Sequence, residues 1–401
     1  MNNNGKSGLP LRILHVISSM DPEKGGVCQA VRLMIKGLAA NGITSEVACL
    51  DAPDMHFPGT DPFVIHALGP GKTSWYYNKL LGSWLKQNLG SFSTVIVHGL
   101  WQYHTFATLQ AWKREKNKGI KLFVMPHGML DPYFQKATGR RLKAIRNEIV
   151  WRLIESKLVN NADVLLFTCS TELNLAPQAF KTYKPKRTCI VGLGLEDPPA
   201  HNENMKAKFE ESVGQLRKDE KFFLFLGRIH PKKGVDLLVE AYVTARNNGK
   251  DLLPLVIAGP GLETGYGQKI KAAATGHPVF FPGMLSGAAK WGAFYESEVF
   301  VLPSHQENFG IAVAEALACS RPVLISDKVN IWNEISKGQV GLVEKDDAEG
   351  VSRLLTAWAD ISATEKKEKG LKARKVFEEE FSINEFAARM LALIHEGQGQ
   401  F

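Results

Sequence analysis

The chain has 401 residues, 44% of them apolar and 22% charged, the balance of a soluble globular protein too long for one ordinary core. Its net charge of +8 is uneven: residues 1–195 carry 24 Lys+Arg against 12 Asp+Glu, and residues 196–401 carry 25 against 29. A basic first half favours an acidic ligand or an anionic surface, and without Arg-rich tracts or zinc-finger spacing no nucleic-acid partner is expected.

In chain order, MNNNGKSGLP reads as a ragged leader, not a signal peptide, before a first strand at 12–18. Residues 26–42 follow as a helix, with Val27, Ala30, Val31, Met34, Ile35 and Leu38 on one face and Gly42 at the stop. Further strands are predicted at 45–50, 94–99, 121–128 and 163–170. Continuous apolar strands separated by helices imply a parallel sheet covered on both faces. Residues 192–211, rich in Gly, Pro and Asn, read as a linker. The pattern then restarts, with strands at 221–228, 254–261, 278–284, 298–304, 321–327 and 341–345. The expected fold class is α/β: two doubly wound domains, 1–195 and 196–380, facing across a cleft. An amphipathic tail at 381–401 crosses back to the first. No apolar run reaches the ~18–20 residues of a membrane span. Five scattered cysteines without Cys-x-x-Cys pairing predict a reducing compartment and no structural zinc.

Three stretches carry chemistry. At the first strand-to-helix turn, Gly25 and Gly26 let backbone amides approach a ligand at a helix N-terminus, but the G-x-G-x-x-G of a dinucleotide site is missing. In FLGRIHPKKG (225–234), Arg228 and Lys233 converge at a strand end beside a helix start, which suits a diphosphate. No D-x-D motif accompanies them to hold a metal on such a diphosphate. In HQENFGIAVAEALA (305–318), Glu307 precedes a turn at Gly310 and Glu315 lies about two helical turns further, ~12 Å of rise. Two separated carboxylates suit the hydroxyls at the two ends of a sugar nucleotide.

Together these stretches resemble the retaining glycosyltransferases of family 4. Residues 307–315 match the family's E-x7-E signature, GRIHPKKG its phosphate loop, GGV at 25–27 its N-terminal glycine loop, and PHG at 126–128 its central histidine. The resemblance implies a GT-B architecture of two Rossmann-like domains, with acceptor binding in the first and donor binding in the second. Arg228 and Lys233 would bind the donor diphosphate, with Gly26 closing on it from the first domain. Glu307 would contact the donor sugar and Glu315 the ribose. The amides of Asn308, Phe309, Gly310 and Ile311 would approach phosphate or sugar. Met284 and Leu285 would hold the base, and His127 would sit near the reacting carbon. The implied activity is metal-independent, retaining transfer of a hexose from a nucleoside diphosphate sugar to a saccharide or lipid-linked saccharide, in surface polysaccharide assembly in the cytoplasm. No cofactor is implied. Two departures stand out: VGLGL (191–195) replaces a usual PNG, and FPGMLSG (281–287) has Ser286 where some guanine-nucleotide members have an acidic residue. The second tilts the donor towards a UDP-sugar over a GDP-sugar. A UDP-sugar epimerase and a non-catalytic sugar-nucleotide binder are the alternatives.

His98, Trp101 and Tyr103 cluster after a strand end, where they either stack on an acceptor sugar or pack the loop. Residues 135–159 place Leu142, Ile145, Ile149, Leu153 and Leu158 at helical spacing among cations. An ordinary core-facing helix is the favoured reading, and docking on an anionic membrane from the cytoplasmic side is the alternative.

Overall fold

The computed structural model describes residues 11–24, 26–55, 61–115, 118–136, 141–214 and 216–396. The chain divides into two compact units, one of residues 1–194 with 383–401 and one of residues 195–382.

The first unit is built on seven parallel strands: β1 (Arg12–Val16), β2 (Thr44–Cys49), β3 (Val64–Ala67), β4 (Thr94–His98), β5 (Lys121–Met125), β6 (Val164–Phe167) and β7 (Thr188–Ile190), in the order β3-β2-β1-β4-β5-β6-β7. β4 and β6 are buried along their whole length, as strands covered by helices on both faces must be. The edge strands β3 and β7 are only half-buried, and their sequences lack the continuous apolar run that announces the central strands. The order reverses between β1 and β4, so chain connections leave in opposite directions there and open a crevice beyond the carboxyl ends.

Helix Ile383–His395 belongs to this unit. It packs on helix Gly26–Ala39, where Gly37 faces Ile383 so closely that a Cβ would lie 3.0 Å from its side chain. Phe386, Met390, Leu393 and Ile394 complete a core with Ile13, Met34, Leu38, Ile96 and Phe123, each side chain worth about 1.5–3 kcal/mol of burial. Lys121 Nζ caps the helix C-terminus by donating to the Ile394 carbonyl at 2.7 Å, satisfying an otherwise orphaned acceptor.

The second unit carries β8 (Phe223–Leu226), β9 (Leu255–Ala258), β10 (Val279–Gly283), β11 (Val299–Leu302), β12 (Val323–Ser326) and β13 (Gly341–Glu344), all parallel, in the order β10-β9-β8-β11-β12-β13. Its reversal lies between β8 and β11. The stretch read as a linker is in part a helix, Glu203–Val213, capped by Asn202 Oδ1 accepting from Met205 N at 3.1 Å. It packs on helix Gly287–Glu296, with Phe209 buried and a Cβ at Gly292 falling 2.1 Å from the Met205 carbonyl. Its apolar residues are few, so composition alone concealed it.

The segment 135–159 departs from its favoured reading. It forms Tyr133–Lys136, Arg141–Val150 and the continuous turns Trp151–Asn161, with residues 137–140 outside the described set. Trp151, Leu158 and Val159 are buried, but Leu142 is 84% exposed, Ile145 59%, Ile149 53% and Leu153 61%. Trp151 and Glu155 take the core-facing positions, which turns Leu142, Ile145, Ile149 and Leu153 of the predicted stripe to solvent and leaves only Leu158 in the core.

Candidate active site

In the second unit the phosphate-loop residues gather at the strand-order reversal. Arg228 follows β8 and is exposed; Lys233 ends the short turn Pro231–Lys233 and is half-buried. Gly234 is the N-cap of helix Val235–Asn247 at φ +64, and a Cβ there would stand 2.1 Å from the Pro303 carbonyl. Only glycine fits both the left-handed backbone and that approach, so the β8 and β11 loops lie in contact. His305 N donates to the Lys232 carbonyl at 2.9 Å, Lys232 Nζ donates to Gln306 Oε1 at 2.9 Å, and Lys233 Nζ pairs with Glu307 Oε2.

Glu307 is fixed through its backbone. Its N–H donates to the Lys328 carbonyl at 2.9 Å, and its carbonyl accepts from Asn330 N at 3.0 Å. Gly310, at φ +82, caps helix Ile311–Ala318; a Cβ would meet Val313 and Val329 at 3.1 and 3.2 Å. Two helix N-termini therefore open in the loops that carry Lys232 and the Lys233–Glu307 pair. Such a set can bind an anion through amides and cations while a carboxylate accepts from hydroxyls. Phe309 is a core residue, 4% exposed and perpendicular to Phe381 at 5.5 Å; its backbone alone is available. Glu315 is half-buried and pairs with Lys290 Nζ at 2.6 Å. After β10, Met284 is 75% exposed and Leu285 8%.

In the first unit a cavity of about 330 Å³ lies beyond the ends of β1 and β4. Ser18, Ser19, Asp21, Lys24, Tyr76, His98, Gln102 and His104 supply its polar lining. The wall is braced by buried Asp51, which accepts from Ser19 Oγ and, at 2.6 Å, from Met20 N. Gly26 opens helix Gly26–Ala39; Gly25 lies outside the described residues. His98 is buried, bonded through Nε2 to His15 Nδ1 at 2.9 Å and through Nδ1 to His127 Nε2 at 3.0 Å. His127, partly exposed, holds φ +53, a strained backbone for a non-glycine residue. The adjoining Gly128 N–H donates to buried Glu172. Burial lowers His15 to about 3 and His104 and His127 to about 4, and drives His98 well below its ordinary range.

The His98–Trp101–Tyr103 cluster is dispersed. Only His98 reaches the cavity. Trp101, at φ +76, packs on Trp151 and Phe180 and lines a separate hollow with Met129, Phe134, Lys143, Arg146 and Asn147. Tyr103 packs edge-on against Trp75 and Tyr77.

The comparisons with known proteins bear on this geometry. The family model described as "Glycosyl transferases group 1" matches residues 206–375, and that described as "Glycosyl transferase 4-like domain" matches residues 25–194. The chain belongs to the GT-B glycosyltransferases of family 4. An uncharacterised glycosyltransferase of Methanocaldococcus jannaschii is 34% identical over 38% of this chain and 40% of its own length, so the chain spans less than half of that relative. The O-antigen chain mannosyltransferase C of Escherichia coli is 24% identical over 93% of this chain and 95% of its own. Sucrose-phosphate synthase from Thermosynechococcus elongatus superposes with a TM-score of 0.70 at 19% identity, covering 96% and 98% of the two chains; it shares the fold.

Some residues of this family 4 chain escaped sequence reasoning. Lys290 as the partner of Glu315, and Asp51 as the brace of the cavity, carry no spacing signal. His15 did carry one: a histidine inside a continuous apolar strand must find a buried partner.

Proposed function

We propose that this protein transfers a hexose from a nucleoside diphosphate sugar to a saccharide or lipid-linked saccharide, with retention of configuration and without a metal ion. The observation that carries this reading is the Lys233–Glu307 pair beside two glycine-capped helix starts at the β8/β11 reversal, in the loop that also carries exposed Arg228. Arg228, Lys233 and the amides of Asn308 to Ile311 take the diphosphate. Glu307 takes hydroxyls of the hexose, Glu315 the ribose, and the backbone at Met284 and Leu285 the base. His127 stands beside the reacting carbon. The cavity of the first unit takes the acceptor; its hydroxyl, amide and carboxylate lining suits sugar hydroxyls.

Cleaving the sugar–phosphate bond builds positive charge on the anomeric carbon and negative charge on phosphate. Lys233 and Arg228 stabilise the phosphate as it leaves, the term that dominates such reactions. The leaving phosphate oxygen takes the proton of the acceptor hydroxyl, which then attacks from the same face. Ser286 favours a UDP-sugar, whereas the name of the Escherichia coli relative favours a mannosyl donor and a role in surface polysaccharide assembly.

The acceptor side includes an anionic membrane in this reading. Leu142, Ile145, Ile149 and Leu153 form one exposed apolar stripe, and exposed Lys143, Arg146, Arg152 and Lys157 accompany it. Such a helix lies in the headgroup region with its cations on anionic lipid. Among the described residues no helix is long and apolar enough to cross a membrane.

The test is incubation with UDP- and GDP-hexoses, with and without a mixture of saccharide and lipid-linked acceptors, following nucleotide release and the anomeric configuration of the product. Acceptor-dependent release with an unchanged anomeric configuration supports the reading. Donor isomerised without acceptor points to the epimerase, and binding without release to a sugar-nucleotide binder.

A further inference from the structure

We infer that His15 and His98 are positioning residues that lock the imidazole of His127 in its Nδ1–H tautomer, so that the turn at Pro126–Gly128 offers the substrate a fixed hydrogen-bond donor. The inference rests on the reading that this turn faces the transferred sugar.

The three rings form one chain. His15 Nδ1 meets His98 Nε2 at 2.9 Å, and His98 Nδ1 meets His127 Nε2 at 3.0 Å. The first two rings stack at 5.2 Å between centroids, and the second and third lie 5.3 Å apart at a tilt of 32°. A neutral imidazole has one donor and one acceptor nitrogen. Three neutral rings so linked have two arrangements only, with all hydrogens on Nδ1 or all on Nε2.

The buried end decides between them. His15 Nε2 is buried without a partner. Hydrogens on Nε2 would leave an orphaned N–H there; hydrogens on Nδ1 leave a bare lone pair. Orphaned buried donors are the rarer of the two in folded proteins. His104, one turn away, makes the same choice: its Nε2 meets the His98 carbonyl at 3.0 Å, which can only accept, so its buried, unpartnered Nδ1 is bare. Following the chain outward, His15 Nδ1–H donates to His98, His98 Nδ1–H donates to His127, and His127 Nδ1–H is the free end.

The surroundings keep the rings neutral and the turn still. A proton added at Nε2 of His98 or His127 would set two donors face to face, one added at Nε2 of His15 would be an orphaned buried N–H, and burial already holds all three rings uncharged at neutral pH. Glu172 fixes the turn from below, accepting from Gly128 N, and from Thr168 N at 2.8 Å and Thr168 Oγ1 at 2.6 Å. Across the cavity His98 faces Asp21, Lys24, Cys28 and Tyr76. His98 spends both ring nitrogens within the protein, so a sugar meets its ring and not its hydrogen bonds. His127 in turn donates, and its Nδ1 is not a base.

The test is long-range proton–nitrogen correlation NMR on histidine-labelled protein, which reads each tautomer directly. The expected wild-type result is Nδ1–H on His15, His98 and His127. His15→Leu removes the first donor, so His127 is expected to lose its single tautomer and kcat to fall about tenfold at unchanged donor KM. His15→Asn, whose amide N–H replaces Nδ1–H, is expected to restore both. Nε2–H on His127 in the wild type overturns the inference, as does an unchanged tautomer in His15→Leu. Full turnover in His127→Ala overturns the placement of the turn beside the sugar, and with it the donor's role, whatever the tautomer.

Discussion

Lys233 Nζ and Glu307 Oε2 form an ion pair between the loops that follow β8 and β11. The two residues are 74 positions apart in sequence, and neighbouring contacts hold both: Lys232 to Gln306 and to the backbone of His305, Glu307 to the backbone of Lys328 and Asn330. On the proposed function, an entering donor exchanges the pair, the cation turning to phosphate and the carboxylate to hydroxyls. Lys233→Ala is expected to lower kcat by about 10²–10³, the loss seen when one donor to developing negative charge is removed. Glu307→Gln is also expected to reduce turnover strongly. The double variant is expected to fall short of the product of the two losses, because the partners share one interaction. Nucleotide release measures all three, with circular dichroism confirming the fold.

Gly234 and Gly249 separate two costs of a side chain. Both hold positive φ, +64 and +79, but a Cβ on Gly234 meets the Pro303 carbonyl at 2.1 Å and one on Gly249 meets nothing within 4 Å. Gly249→Ala pays for backbone strain alone, on the order of 1 kcal/mol. Gly234→Ala adds a clash that must part the two loops. Its melting temperature is expected to drop by roughly 5–10 °C, against about 2–4 °C for Gly249→Ala. Turnover is expected to fall in the first variant only. Equal shifts in differential scanning fluorimetry would contradict this.

Acid should weaken the first unit. His15, His98, His104 and His127 are all lowered by burial. The unfolded chain therefore binds protons below its ordinary histidine pKa near 6.5 while the folded chain does not, and their stabilisation is lost as pH falls towards 4. Each group accounts for about 1.4 kcal/mol per pH unit across that window. Glu155 acts with the opposite sign. Burial raises it to about 7 although it accepts from Trp101 N and Thr105 Oγ1, both at 2.9 Å, so its share of stability falls as pH rises from about 4.5 to 7. Urea midpoints from pH 7 to 4.5 are expected to decline less steeply in His104→Leu and more steeply in Glu155→Gln than in the wild type.

The exposed stripe of helix Arg141–Val150 and the turn after it predicts lipid binding that depends on both charge and apolar contact. Replacing Ile145 and Ile149, 59% and 53% exposed, by glutamate is expected to weaken sedimentation with anionic vesicles by tenfold or more, at about 1 kcal/mol for each charge set against the surface. Neutral vesicles and high salt are expected to weaken the wild type likewise. Binding to neither vesicle type removes the membrane from the acceptor reading.

Sequence and structure agree where the physics is local. The central strands declared themselves as apolar runs, because burial on both faces leaves no room for alternation. The glycines at 234 and 310 marked loops that need a left-handed backbone. What stayed hidden depends on partners far apart in sequence. β3 and β7 are edge strands with one flank open. The helix at 203–213 is held by a neighbour that begins only at Gly287. The stripe Leu142–Leu153 has the same spacing whether it faces core or solvent, and Trp151 and Glu155, buried on the opposite side, settle which. For the site, the charged loop residues were legible from their order along the chain, but the histidine chain joins β1, β4 and the turn after β5, 83 and 29 positions apart.

The central claim is that the second unit clasps a nucleoside diphosphate sugar through Arg228, Lys233 and Glu307 without a metal. Titration calorimetry with UDP- and GDP-hexoses in EDTA tests it most directly. Saturable binding of at least one donor, weakened at least tenfold by Lys233→Ala, is the predicted result. No heat with any donor, or binding that Lys233→Ala leaves unchanged, would contradict it.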